Sequence, residues 1–196
     1  MIRSAHRLES ARGMTLVELL VTMSILGVVL MVVTGIMLST SRVEGRTVRR
    51  AEVQASSRQA LALMTTELRQ AGADPSSPPV GITAVVSADS HLVRVRADLN
   101  GDGTIQTAEP SEDVTYHFVD TTGVVTRDPG AGPATVLANV RDLQFAYFDA
   151  AGQPITPLPL SPANAARVAA IGLTVTTENR DSAPMTLSTR ITLRNR

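Results

Sequence analysis

The sequence predicts an α+β protein: one long N-terminal helix whose lower part packs on an antiparallel sheet. Three observations carry that expectation. Leu19 to Leu38 is a run of twenty uncharged residues, which as a helix spans about 30 Å, the thickness of a hydrocarbon core. Residues 42–70 are far more polar but keep apolar positions at helical spacing. From residue 80 onward, short β-type runs alternate with clusters of Gly, Pro, Asn and Asp.

Composition narrows the chemistry. The chain has 196 residues, with 18 basic and 18 acidic side chains, so no net field recruits nucleic acid or anionic lipid. Every basic residue is arginine, and lysine is absent. Without cysteine there is no disulfide, thiolate nucleophile, iron–sulfur cluster or cysteine-ligated zinc. Two Tyr, three Phe and no Trp are few aromatic residues for a core of ordinary size.

The N-terminus reads as a membrane and processing signal. Residues 1–13 are polar and positive, with Arg3, Arg7 and Arg12 against Glu9, and between Met14 and Leu38 the only charge is Glu18. A secretory signal carries an apolar stretch of about 7–15 residues and a small-residue cleavage site; this run is longer, and Met37 to Ser41 offers only a weak site. Basic residues ahead of the span hold the N-terminus in the cytoplasm and place the rest across the membrane. A carboxylate in such a span needs a cation. The segment contains none, so the partner of Glu18 comes from another chain, from lipid, or from an N-terminus created by cleavage.

Gly13-Met14-Thr15-Leu16-Val17-Glu18-Leu19-Leu20 resembles the class III signal of type IV prepilins and type II secretion pseudopilins. That resemblance implies a prepilin peptidase that cuts after Gly13 and methylates Met14. It also implies that Glu18, fifth in the mature chain, neutralises the terminal amine of a neighbouring subunit in the filament. Cleavage before the apolar run leaves the span attached, so the product stays in the membrane until assembly. The implied organisation is a leader at 1–13, a membrane and filament-core helix at 14–40, its amphipathic continuation at 41–75 and a β-rich head at 76–196.

The lower helix shows Leu61, Met64, Leu68 and Ala71 on one stripe, with Ala51 and Ala55 on a similar stripe upstream. Gly72 supplies a C-terminal cap and Pro75 prevents resumption, so the helix is expected from about 15 to 71. Arg46, Arg49 and Arg50 read as a solvated face. Strands are expected at Val80–Ser87, His91–Ala97, Asp113–Val119, Val124–Arg127 and Asp142–Asp149. A closing hairpin pairs Val168–Thr177 with Met185–Leu193. One helix followed by these strands resembles the pilin fold. The hairpin motif Asp142-Leu143-Gln144-Phe145-Ala146-Tyr147-Phe148-Asp149-Ala150-Ala151-Gly152 and the helix end Glu67-Leu68-Arg69-Gln70-Ala71-Gly72 look like PilW-type minor pilins, relatives of GspJ-type minor pseudopilins.

One loop carries chemistry. Residues 98–109 fit the twelve-residue calcium loop, with oxygen ligands at Asp98, Asn100 and Asp102 and glycine at Gly103, where the chain turns sharply. Thr104 supplies a backbone carbonyl, Gln106 holds a water, Glu109 closes the set as bidentate ligand, and Ile105 anchors the loop in the domain. A polar hairpin tip explains Asn100-Gly101 and Asp102-Gly103 equally well, but not the later positions. Strands rather than helices flank the loop. Glu112 and Asp113 beside it read as solvated.

His6, His91 and His117 show no ligand spacing, and no nucleophile motif, phosphate loop or catalytic carboxylate pair is recognisable, so no enzyme is expected. The resemblance implies a minor pilin that primes or caps a type IV pilus. Its implied partners are the prepilin peptidase, other minor pilins, the major pilin and a tip adhesin. The alternative is a GspJ-like minor pseudopilin of a type II secretion system. A DNA-uptake subunit would need a basic, aromatic-rich patch that is absent.

Overall fold

The computed structural model describes residues 15–107, 112–179 and 182–193. The expected leader, with Gly13 and Met14, lies outside the described residues, as does Glu109. The chain divides into two compact units, one up to Thr47 and one from Val48 onward. A single helix, α1 (Leu16–Gln70), contributes to both.

In the first unit, Leu16–Ser39 has a mean hydropathy of 2.6 and is exposed throughout. Its length and composition suffice to cross a membrane. Thr15 caps its start, where Oγ1 accepts the Glu18 N–H at 3.2 Å. Within the apolar run, the hydroxyls of Thr22, Ser24 and Thr34 donate to the carbonyls of Leu19, Leu20 and Leu30 at 2.7–2.9 Å. Each polar side chain thereby consumes its own donor, as a helix in hydrocarbon requires.

In the second unit the end of α1 buries Ser57, Ala60, Met64, Leu68 and Ala71, one stripe at steps of three and four. Leu61 sits half-buried at the edge of that stripe, with Ala60 in the place expected for it. Ala51 and Ala55 are exposed, so the stripe does not extend upstream. Gly72 stops the helix with φ +78°, and its N–H turns away to the carbonyl of Arg96 at 2.8 Å. Arg50 is exposed, whereas the side chains of Arg46 and Arg49 lie outside what is described.

Two antiparallel sheets follow. Five strands form a meander in sequence order: β1 (Val85–Ala88), β2 (Leu92–Arg96), β3 (Asp113–Val119), β4 (Val124–Asp128) and β5 (Ala134–Leu137). A second sheet has β6 (Val140–Phe148), then β7 (Ala170–Asn179) and β8 (Ser182–Thr192) beyond a single helical turn, α2 (Pro162–Ala165). The α+β class holds, with the strands in two sheets rather than one. Val80–Thr83 is not a strand, β5 and α2 were not anticipated, and the turn after β6 returns only as an isolated bridge between Phe148 and Pro154.

Alternation explains the core. Val93, Val95, Val114, Tyr116, Phe118 and Val125 from the first sheet meet Leu143, Phe145, Tyr147, Ile171, Leu173 and Ile191 from the second, with Met64 and Leu68 of α1 in the same cluster. The β1–β2 turn joins the sheets: Ser90 accepts the Phe145 N–H at 2.7 Å, and the Tyr147 hydroxyl donates to the carbonyls of Asp89 and Leu92. Glu67 ties the helix to the first sheet. It accepts hydrogen bonds from the Tyr116 hydroxyl and, at 3.0 Å, from Arg127 Nε, and pairs with Arg127 Nη2 at 2.8 Å.

Candidate functional site

The described residues expected to carry chemistry lie in two places, one in each unit. In the apolar helix, Glu18 is exposed and its carboxylate has no partner among the described residues. Helix geometry places it in the first turn of α1, where the helix dipole favours a negative charge.

The second is the β2–β3 connection. Asp98 is fully buried, with Oδ1 accepting the Gly101 N–H at 2.6 Å and Oδ2 the Gly103 N–H at 2.9 Å. Asn100 Oδ1 accepts the Asp102 N–H, and Asp102 Oδ1 accepts both the N–H and the hydroxyl of Thr104. These bonds wind the chain into successive tight turns. Gly103, at φ +77°, could not carry a side chain there without pressing on Val80, since a Cβ would stand 3.3 Å from Val80 Cγ1. Hydrogen bonds from Thr104 first, and also from Asn100 and Gln106, hold the Asp102 carboxyl below the usual carboxylate range. Ile105 is half-buried. The loop is fastened to the helix end, where the Asp98 N–H donates to the carbonyl of Ala73 at 2.7 Å.

Glu112 and Asp113 are not solvated: they are 1% and 5% exposed. Glu112 reaches into the loop, where Oε1 accepts the N–H groups of Leu99 and Asn100 and Oε2 that of Gln106, at 2.7, 3.2 and 3.0 Å. Asp113 starts β3 and takes a two-pronged bond from Arg94, both arms 2.7 Å, plus Arg96 Nε at 2.8 Å. Burial pushes its carboxyl up, but the hydrogen bonds and charges of the two arginines outweigh that, so it lies below the usual range. The available signal for both was position: they sit where the chain re-enters the sheet, and the Glu112 carbonyl accepts the Ala97 N–H at 2.9 Å.

The donor set of the loop fits a hard cation. Asp98, Asn100, Asp102 and the Thr104 carbonyl are all oxygen donors. Each Asp98 oxygen uses one lone pair on an N–H and retains another. No arginine pairs with Asp98 or Glu112 among the described residues, so only N–H dipoles balance two buried carboxylates. On Asp102, however, the amides of Asn100 and Gln106 donate to Oδ2, and these contacts must yield to a cation. Gln106 thus turns to Asp102. Among the described residues no three acidic or histidine side chains form a metal-holding group. Glu109, the third carboxylate of the expected set, is outside them.

His91 packs edge-on against Phe118 with Nε2 3.8 Å from Asp142, and His117 stands exposed on β3; neither joins a ligand cluster. The family described as Prokaryotic N-terminal methylation motif matches residues 10–38. No curated protein matches the chain. The match covers the basic residue Arg12, the glycine, Glu18 and the apolar run, and proteins with this signal are structural pilin-type subunits rather than enzymes.

Proposed function

We infer that this chain, which carries the N-terminal signal of a type IV pilin-like or pseudopilin precursor, is a minor pilin of a type IV pilus. Prepilin peptidase cuts it after Gly13 and methylates Met14. Its helix then holds it in the inner membrane, with the head outside the cytoplasm, until it joins other minor pilins and the major pilin. There it primes or caps assembly, with a tip adhesin as a further partner. The head resembles the PilW type in its Asp142–Gly152 and Glu67–Gly72 motifs, and its β2–β3 loop binds calcium.

The observation that carries this reading is Glu18: the only charge in the apolar helix, five residues after Gly13 within the segment that matches the methylation motif, and without a side-chain partner among the described residues. A cationic amine at the start of a neighbouring mature chain supplies the missing charge. The test is a clean deletion, scored for surface pili and motility against exoprotein secretion. Loss of pili supports the minor pilin. Intact pili with lost secretion would make the chain a minor pseudopilin instead. In Glu18→Gln, cleavage after Gly13 continues while incorporation falls; normal incorporation would remove the pairing role.

A further inference from the structure

Resting on the calcium reading of the β2–β3 loop, we propose that Glu112 is its positioning residue: a buried carboxylate that holds both arms of the loop so that Asp98, Asn100 and Asp102 present their oxygens to a hard divalent cation. Glu112 lies beyond the twelve loop residues and is not itself counted among the ligands.

Its contacts span the loop. Oε1 takes the N–H groups of Leu99 and Asn100 on the incoming arm, and Oε2 takes that of Gln106 on the outgoing arm. Its own N–H donates to the Gln106 carbonyl at 3.1 Å, closing the outgoing arm from both sides. A carboxylate accepts through two oxygens at a fixed separation, so one side chain sets the spacing of the two arms. The ligands lie along this span: Asp98 and Asn100 belong to the incoming arm, and Asp102 lies in the turn between it and Gln106.

The charge itself is informative. A hairpin tip needs no ionised group in its interior, and burying one is costly unless something offsets it. Here Glu112 is 1% exposed beside Asp98, also buried, with no cationic side chain on either among the described residues. Backbone N–H groups meet the hydrogen-bonding need of both carboxylates but bring no net positive charge. A divalent cation among the loop oxygens supplies that charge. Partners that orient metal ligands without touching the metal change affinity by about 10–100-fold when lost.

The experiment uses the full chain in detergent micelles, stripped of metal, with wild type, Glu112→Gln and Glu112→Asp compared. Gln keeps the acceptor for Leu99 and Asn100 but turns an amide donor toward the Gln106 N–H; Asp keeps the charge and loses the reach. Calcium chloride titration by calorimetry is paired with metal-free amide exchange over residues 99–107. The expected result is calcium affinity at least about tenfold weaker in both variants, with faster exchange at Gln106 and unchanged protection in β3 and β7. If Glu112→Gln loses protection throughout the head, Glu112→Asp carries the comparison. Equal affinity in wild type and variant overturns the positioning role and leaves the calcium reading standing. Weakened affinity with unaltered loop exchange also overturns it, since the effect would then be charge alone. Absence of binding to wild type up to about 10 mM calcium, above the usual range of extracellular modules, overturns the calcium reading and the positioning role together.

Discussion

Replacing Glu67 by alanine tests how the helix is held to the sheet. Glu67 lies one residue before the fully buried Leu68, and its carboxylate is 19% exposed. Removing it takes the acceptor from the hydroxyl of Tyr116, a residue with no exposed surface, and the counter-charge from Arg127, whose side chain is 20% exposed. An unsatisfied buried hydroxyl costs about 1–3 kcal/mol, and losing charge-assisted bonds to a partly buried guanidinium about 1.5–3 kcal/mol. Solvent at the edge of the pair screens part of the second figure, so Glu67→Ala is expected to cost about 3 kcal/mol. At about 2–4 °C per kcal/mol for a unit of this size, the thermal midpoint falls by roughly 6–12 °C. The assay is thermal unfolding of the full chain in detergent, followed by circular dichroism. The triple variant Glu67→Leu, Tyr116→Phe, Arg127→Met removes the whole network and recovers most of that loss, because apolar residues of similar volume replace buried polar groups at little cost. A loss under about 1 kcal/mol in Glu67→Ala, or a triple variant as unstable as the three single changes summed, would refute the reasoning.

Leu68→Ala opens a cavity under the same helix and costs about 2–5 kcal/mol, whereas Val48→Ala on an exposed turn stays within about 0.5 kcal/mol; equilibrium unfolding of both checks the contrast. Because the folded Asp113 carboxyl titrates below its unfolded value of about 3.9, its contribution is present above that pH and is lost as pH falls through the folded value. Asp113→Asn is therefore less stable at neutral pH and shows a flatter acid limb, seen in thermal midpoints from pH 7 downward. Millimolar calcium raises the midpoint of the wild type. With a dissociation constant of about 10⁻⁴–10⁻³ M, 5 mM calcium adds roughly 1–2 kcal/mol. Asp102→Ala with Glu109→Ala abolishes that shift, and an unchanged wild-type midpoint would contradict the loop's proposed role.

What the sequence made legible was local. The apolar run, the stripe through Met64, Leu68 and Ala71, and the stop at Gly72 are each written within a few residues. Strands β3, β4 and β6 follow the same logic, since alternation and flanking turn residues mark them. What stayed hidden depends on distant partners. Ala134–Leu137 is four residues among Gly and Pro and becomes a strand only by pairing with β4. The division into two sheets is set by β6 turning to β7 instead of β5. At the loop, the ligand positions were readable from spacing, but Glu112 was not. A carboxylate next to a polar turn reads as solvated until three backbone N–H groups from residues 99–106 are seen to converge on it.

The self-contained hydroxyls of the apolar helix have a consequence for how such helices align. Between Leu16 and Leu38 the polar side chains are Glu18, Thr22, Ser24 and Thr34, and the last three are committed to their own backbone. Along the rest of that surface, a neighbouring helix sliding up or down by a turn trades one greasy contact for another of nearly equal worth. Only Glu18 breaks the sameness. In the proposed filament such a helix is a smooth rod with a single detent, and one carboxylate sets the depth at which two copies come to rest.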